Sequence, residues 1–202
     1  MKTIGKTVLL SFLVIVLVSC NSFVPKPTET PFPLATTEKP STDSDIAAFN
    51  YDSNILNATI EIPPGWETKD NENIGGVFVV DNWKDFTQGD PFGDAISILF
   101  LRMQNGMGSA SSSLDYIESN LGDAITKKIG DTNTEDQDNL EIAWAEYIAK
   151  PPVDGNGSEA YYLLAVITDG KQSISALSTV YLNRQDEVKP KVLEIVKRVK
   201  FR

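Results

Sequence analysis

The stretch YYLLAVITDGKQSISALSTVYL, residues 161–182, decides the fold. Two β-rich runs, 161–168 and 172–182, flank the dipeptide Asp169-Gly170. An Asp-Gly pair between two such runs is a strong local signal for a β-hairpin. It predicts a tight type I′ turn, which needs a positive φ at both residues. The stretch therefore predicts an antiparallel strand pair, and the other elements are placed around it.

Further strands are indicated upstream of this hairpin. Residues 56–62 alternate between apolar and polar, which is typical of a half-buried strand, and Pro63-Pro64-Gly65-Trp66 supplies a turn that ends it. Residues 77–80 form a short β-branched run. Residues 95–103 are apolar on both faces apart from Ser97 and Arg102, so a central strand covered on both sides is expected there. Residues 140–145 alternate again and predict another strand.

Two helices are predicted from apolar residues at helical spacing. The first helix follows a small-residue loop at 105–113 and is expected to end at Gly130. Its apolar face consists of Leu114, Ile117, Leu121, Ala124, Ile125 and Ile129. Ser112 and Asp115 resemble a capping box at its start, and an acidic loop is expected at 131–138.

The second helix is predicted at 186–198, and a short final strand follows at 199–202. Its Pro190 is tolerable only in the first helical turn, because proline has no N–H to donate. The order of elements is strands, helix, strands, helix. That order predicts an α+β fold in which helices pack on the faces of an antiparallel sheet.

This succession of elements resembles the PsbP-like family of α/β/α sandwiches. The resemblance lies in the early strand that runs into Pro63-Pro64-Gly65-Trp66, the mid-chain helix, the strand with Trp144 and Tyr147, the Asp169-Gly170 hairpin and the C-terminal helix. It implies a binding or accessory role, since members are mostly of that kind and some are extrinsic subunits of membrane complexes. No functional residue carries over from the family by position.

The first twenty residues read as an export signal. Lys2 and Lys6 precede the apolar run 8–18, which is too short to span a bilayer. Leu17-Val18-Ser19-Cys20 resembles the lipobox of bacterial lipoproteins. The resemblance implies cleavage after Ser19, diacylation of the Cys20 sulfur, and a lipid-anchored protein on the extracytoplasmic face of the cell membrane. An ordinary secreted protein with a free cysteine is the alternative.

The chain divides into three parts on this basis. Residues 1–19 are the predicted signal peptide, and residues 20–45 are the lipidated cysteine with a tether. The tether holds five of the eleven prolines and many threonines, so it cannot bury enough apolar surface to fold. Residues 46–202 are the predicted single α+β domain, a length suited to one hydrophobic core.

Charge and cysteine content narrow the possible partners. The chain has 18 basic and 28 acidic residues, a net charge of −10. Nucleic acid is not expected as a partner, because phosphate contacts need Lys and Arg. Binding to anionic lipid surfaces is disfavoured for the same reason. Cys20 is the single cysteine, so the domain must be stable without a disulfide.

The sequence contains no recognisable catalytic motif. The chain has no histidine, which excludes Ser-His-Asp and Cys-His relays and histidine-ligated zinc. Two acidic stretches are candidates for Ca²⁺ binding: Asp131, Asn133, Glu135, Asp136 and Asp138 in the first, and Asp154, Asn156 and Ser158 in the second. Both depart from the EF-hand pattern, and solvated turns are the alternative. No metal and no cofactor is therefore predicted.

The best candidate for ligand binding is the stretch 81–94, expected as a loop that mixes acids and aromatics. Trp83 and Phe92 offer flat apolar surfaces, and Asp85 and Asp90 offer acceptors for a polar or cationic ligand. In the alternative interpretation the aromatics pack inward and the acids face water.

Two classes of function follow from these observations. The first is a non-catalytic binding or accessory lipoprotein of the cell envelope, whose ligand is a protein or a small molecule. The second is an extracytoplasmic hydrolase that uses carboxylates or an oxygen-ligated metal. The absence of histidine and of any catalytic motif favours the first. The basic C-terminus, from Lys189 to Arg202, is expected to suit a helix C-terminus rather than an acidic partner.

Overall fold

The computed structural model describes residues 48–103, 108–152 and 155–202. These ranges contain ten strands: β1 (Phe49–Ser53), β2 (Ala58–Ile62), β3 (Glu67–Asn71), β4 (Gly76–Val80), β5 (Ser97–Met103), β6 (Ile125–Gln137), β7 (Leu140–Ala149), β8 (Ala160–Thr168), β9 (Ser173–Tyr181) and β10 (Val199–Phe201). They also contain three α-helices: α1 (Trp83–Gln88), α2 (Ala110–Leu121) and α3 (Gln185–Val196). The signal peptide, Cys20 and the tether lie outside the described residues.

The strands form two antiparallel sheets. A seven-stranded sheet has the order β3-β4-β5-β9-β8-β7-β6, and a three-stranded sheet has the order β1-β2-β10. The β8–β9 hairpin predicted from residues 161–182 is confirmed and lies inside the large sheet. All nine residues of β8 are buried, so this strand is covered on both faces. The predicted α+β fold class is confirmed.

Apolar residues on the two faces of the large sheet form two separate cores. On one face, the small sheet and α3 cover the larger core, to which β8 contributes Tyr161, Leu163 and Ile167. On the other face, α2 covers Tyr147 of β7 and Leu164 of β8. The helix α2 packs across β6, β7 and β8, so it covers only one half of its face.

The mid-chain helix is shorter than its apolar periodicity predicts. It begins after Ser109, whose Oγ accepts the Ser112 N–H at 3.1 Å, so the predicted capping box at Ser112 is wrong. It stops before Gly122, which has φ +53°. The predicted acidic loop at 131–138 is also wrong, because residues 125–137 are strand β6 paired with β7. Gly130, expected as the helix stop, lies at a register shift in this strand.

The tight turn lies in a different hairpin from the one predicted. Asp138 and Asn139 have φ +50° and +67° and connect the paired residues Gln137 and Leu140, as a two-residue type I′ turn requires. In the β8–β9 hairpin only Gly170 has a positive φ, +81°. The loop there spans 169–172, and Asp169 Oδ1 accepts the N–H groups of Lys171 and Gln172. The type I′ prediction for Asp169-Gly170 is therefore wrong.

The C-terminal elements follow the prediction with one exception. The final strand, β10, pairs with β2. Pro190 is the sixth residue of α3 rather than a first-turn residue. The prediction of its position is wrong because α3 begins at Gln185, directly after a 3₁₀ turn at Leu182–Arg184.

Candidate functional site

The predicted ligand loop is partly helical. Asn82 caps α1 by accepting the Asp85 N–H through Oδ1 at 3.1 Å, and a short helix follows where a loop is expected. Trp83 is half-buried in this helix, and its ring centre lies 5.4 Å from that of Phe86. Phe86 in turn lies 5.7 Å from Phe78 on β4. Lys69 Nζ on β3 is 5.2 Å from the Trp83 ring centre. The helix α1 thus lies over the β3–β4 edge of the large sheet.

Phe92 belongs to a different aromatic pair from Trp83. Its ring packs on Tyr181 at the end of β9, with 6.1 Å between ring centres. The Tyr181 N–H donates to the Phe92 carbonyl at 3.1 Å, which fixes this part of the loop to the sheet. Among the described residues, no ring contact connects this pair with the Trp83 group. The structure therefore does not bring together the two predicted aromatic contacts.

The carboxylates of the predicted site hold the loop in its conformation. Asp85 Oδ2 accepts from the Asn82 side chain at 2.5 Å. Asp90 Oδ1 accepts the backbone N–H groups of Phe92 and Gly93 at 3.0 and 3.2 Å. Asp94 Oδ2 accepts the Asp90 N–H at 3.0 Å. Their remaining acceptor capacity and their charge stay at the surface.

A second apolar surface, missed at the level of sequence, lies beside α1 on the α2 side of the large sheet. We call it the open face, and it consists of Phe78, Leu99, Leu101 and Leu177. Phe78 pairs with Leu99 and Leu99 pairs with Leu177, so the three form a row across β4, β5 and β9. Leu99 is 6% exposed, and Phe78, Leu101 and Leu177 are half-buried. Strands buried on one face give the same alternating pattern, so no sequence signal distinguishes these residues from core.

Tyr116 lies on the other side of the open face. It is one of two large apolar residues that are strongly exposed in the described part of the chain, at 49%. Glu118, two residues further along α2, binds Lys128 of β6 and Tyr147 of β7. Two residues correspond to about 200° of rotation around a helix. Tyr116 therefore projects from the side of α2 away from β6, toward β9 and the open face.

Two clefts lie near the ends of the sheet strands. The larger, about 550 Å³, lies between the hairpin turns and the start of α2 and includes the acids Asp136, Glu141 and Asp169. The smaller, about 510 Å³, lies beside Tyr181, whose hydroxyl accepts the Asn156 N–H at 2.8 Å. Neither cleft is lined by any of the four residues of the open face.

The acids of the first stretch that is a candidate for Ca²⁺ binding are not gathered at one point. In the first, Glu135 pairs with Lys197 across 2.5 Å. Successive residues of β6 point to opposite faces of the sheet, which separates its acids. Asp154, in the second stretch, lies outside the described residues. Within 48–103, 108–152 and 155–202, no three acidic side chains are placed to hold a metal ion.

Four of the six cations from Lys189 to Arg202 are paired with acids within the molecule. Lys189 binds Glu146 at 2.6 Å, Lys191 binds Glu187 at 2.9 Å, and Lys197 binds Glu135. Arg198 binds both Glu61 and Glu194. The pairs with Glu146, Glu135 and Glu61 join α3 and the residues after it to the sheets, and all of these pairs reduce the charge available to an acidic partner.

The most strongly shifted pKa values belong to tyrosines that stabilise the fold. Burial, followed by the hydrogen bond to Glu146, raises the pKa of Tyr161. Burial and the charge of Glu118 raise the pKa of Tyr147. Burial and the hydrogen bond to Asp70 raise the pKa of Tyr51 to about 12. None of these hydroxyls is part of the open face, so these shifts reflect packing.

Comparison with known proteins identifies the fold. No family model and no curated protein matches the chain. The solution structure of cyanobacterial PsbP (CyanoP) from Synechocystis sp. PCC 6803 is similar, with a TM-score of 0.52, 16% identity, and coverage of 82% of this chain and 98% of that one. The Ran-binding protein Mog1p of Saccharomyces cerevisiae has a TM-score of 0.51, 13% identity, and coverage of 77% and 96%. At these identities the likeness shows the fold alone, and that fold is PsbP-like.

Proposed function

We propose that this chain is a non-catalytic binding or accessory lipoprotein, anchored to the extracytoplasmic face of the cell membrane through lipid on Cys20. The observation that carries the binding role is the open face: a largely half-buried apolar row on the large sheet, beyond the strands on which α2 packs. Leu99 is buried and its three neighbours are partly exposed, and a contiguous apolar patch at the surface of a folded domain marks an interaction site. The partner is an envelope protein or a small-molecule ligand.

The anchor rests on the sequence around Cys20. A charged start, a short apolar run and Leu17-Val18-Ser19-Cys20 together support export and lipidation. Two acyl chains on one cysteine hold a protein stably at a bilayer, whereas a single chain is marginal. Within the described ranges, no helix is long and apolar enough to cross a membrane.

The structural role of the carboxylates in the stretch 81–94 supports a binding function rather than a catalytic one. Asp85, Asp90 and Asp94 bind groups of their own loop, and the clefts contain no histidine partner for an acid or a nucleophile. Among the described residues, no observation favours the hydrolase alternative. The fold also occurs in Mog1p, a Ran-binding protein, which supports the same class of role.

Replacement of the cysteine tests the anchor. Cells that produce the full chain with Cys20→Ala should yield an uncleaved precursor or an unlipidated product, because the cysteine sulfur is the site of acylation. The measurement is incorporation of a clickable fatty acid together with detergent phase partitioning. Ser22→Ala is the matched control and should remain lipidated. A Cys20→Ala protein that still carries lipid would contradict the proposal.

Site-specific crosslinking tests the binding face. A photo-reactive amino acid at Leu101, in the open face, should capture a discrete partner in intact cells. The same amino acid at Phe49, which is 39% exposed on β1 of the small sheet, is the control. Capture should fall when Leu177→Ser is added at the open face. Equal products from both positions, or none from Leu101, would contradict a binding role for this face.

A further inference from the structure

We propose that the open face binds a cationic amphipathic helix of a partner protein. The inference rests on the proposed binding function and specifies the chemistry of the partner. It combines three features of the described residues: the width of the uncovered sheet, the apolar row on its floor, and the unpaired acids at one end.

The uncovered part of the sheet has the width of one helix. The helix α2 packs over β7 and β8, and α1 lies over β3 and β4. Strands β5 and β9 lie between them. The two covered positions are four strand spacings apart, about 19 Å at about 4.8 Å per strand. Packed helices are about 8–10 Å apart, so one further helix fits between α1 and α2 above β5 and β9.

The floor of this gap suits the apolar stripe of a helix. Leu99 and Leu101 on β5 and Leu177 on β9 alternate with residues that face the opposite core. Ser175 and Thr179, half-buried on the same side of β9, are small enough to admit side chains from above. Trp83 on α1 and Tyr116 on α2 flank the gap. An amphipathic helix lays its apolar face into a groove of this kind.

The acids at one end of the gap determine the charge of the partner. Asp81, Asp85, Asp90 and Asp94 lie where β4 ends and β5 begins, and none of them forms an ion pair among the described residues. Two cations are on the same side, Lys69 over the Trp83 ring and Lys84 within α1. Acids therefore outnumber bases here by four to two.

Among the described residues, the arginine that contacts this loop and the lysines of α3 are already paired with acids. Arg184 contacts the loop through the carbonyls of Gly93 and Ala95, but its charge is paired with Glu187. The cations of α3 lie on the opposite side of the sheet and are paired there. Like charge would repel an acidic partner or an anionic lipid surface, whereas Lys and Arg on the exposed side of a docked helix would be attracted.

Binding of a defined peptide tests the inference. The probe is a 14-residue amphipathic helical peptide of Leu and Lys, labelled with a fluorophore, added to the domain in low salt. Fluorescence anisotropy should give saturable binding that weakens as salt is added, since screening reduces attraction between surface charges. A peptide with Glu in place of Lys, and a scrambled Leu-Lys peptide without an apolar stripe, should each bind about tenfold more weakly or not at all.

Two pairs of variants locate the contact. Leu177→Ser at the open face should weaken binding at least about tenfold, whereas Phe49→Ser on the small sheet should not. Asp94→Asn should weaken binding severalfold and reduce its salt dependence, whereas Asp131→Asn on β6 should not. Equal effects within either pair would overturn the inference, as would equal binding of the Glu peptide. Binding of neutral phosphatidylcholine vesicles in place of the peptide would overturn it as well.

The outcome separates this inference from the proposed function. If Leu101 captures a partner in cells but the Leu-Lys peptide does not bind, the binding role stands and the helical, cationic partner is wrong. If the peptide binds at another site and Leu101 captures nothing, both are wrong.

Discussion

At the scale of single residues, neighbours decide whether an aromatic side chain is part of the core or of a surface. Trp83 lies between Phe86 and Lys69 and remains half-exposed, whereas Phe100, on β5, is completely buried. Both are aromatic residues close to acids and apolar runs in the sequence. The role of Trp83 depends on α1, which holds its ring at the edge of the sheet rather than inside it.

Truncation of Trp83 distinguishes these roles. Trp83→Ala should lower the free energy of unfolding by about 1–2 kcal/mol, less than the about 3–5 kcal/mol expected for a fully buried Trp or Phe. Urea denaturation measures this difference, and Phe100→Ala is the control for a buried position. A loss for Trp83→Ala as large as that for Phe100→Ala would show that Trp83 is a core residue rather than a surface residue beside the open face.

At the scale of elements, strand pairing overrides helical periodicity. Ile125 and Ile129 continue the apolar spacing of α2, but both lie in β6 and pair with Ala149 and Glu146 of β7. The partner strand β7 lies more than ten residues further along the chain, so the local spacing of apolar residues cannot predict this pairing. The positive φ of Gly122 ends the helix before the pairing begins.

The β8–β9 loop provides a test at this scale. Gly170→Val should destabilise the domain by about 1 kcal/mol or more, because a β-branched residue resists φ +81°. No atom lies within 4 Å of an added Cβ, so backbone strain alone causes the loss. Lys171→Val is the matched control, since Lys171 has no positive φ. The measurement is urea denaturation, and equal losses for both variants would contradict the strain argument.

At the scale of the whole molecule, buried tyrosines connect the layers. The Tyr161 hydroxyl donates to Glu146, which also binds Lys189 of α3. The Tyr147 hydroxyl donates to Glu118 of α2. The two helices are thus each fastened to the large sheet by a carboxylate and a tyrosine, and both contacts need the neutral phenol.

Alkaline pH should therefore destabilise the fold. The pKa values of Tyr147, Tyr161 and Tyr162 are raised in the folded protein, mainly by burial. Above pH 10 the unfolded chain loses phenolic protons that the folded chain keeps. Stability is then complete below about pH 10 and falls as pH rises, by up to about 1.4 kcal/mol per pH unit for each such tyrosine.

Denaturation series between pH 8 and 12 measure this slope. Tyr161→Phe removes one phenol and should make the slope shallower, and the exposed Tyr116→Phe is the matched control. A stability that is constant across this range, or a Tyr161→Phe slope equal to that of the unaltered protein, would contradict the linkage.

Removal of the tether is the second test at this scale. Deleting residues 25–40 should leave the melting temperature of the domain unchanged, because the segment offers few apolar groups to a core. If the segment instead stabilised the domain by about 1 kcal/mol, its deletion would lower the melting temperature by about 2–4 °C. A Gly-Ser replacement of equal length is the control for chain length. A lower melting temperature in both the deletion variant and the Gly-Ser variant would show that the native segment packs on the domain.

The sequence by itself determined the elements whose signals are local. Alternation and turn residues predicted β2, β7 and the β8–β9 hairpin, and apolar spacing predicted α3, since burial of one face repeats every two or every 3.6 residues. The α+β class followed from their order. The stretch 81–94 was expected as a loop, and its helix α1 was not predicted, because six residues are too few to show a period.

Only the tertiary structure decided which half of the sheet is covered. Leu177 and Leu164 are paired neighbours on the same face, and their strands carry the same kind of residue. Leu164 lies in the core beneath α2, and Leu177 lies at the margin of that core. The difference arises because α2 packs over β7 and β8 but not over β5 and β9. Coverage is a property of elements far apart in the chain, so no local pattern of residues can show it.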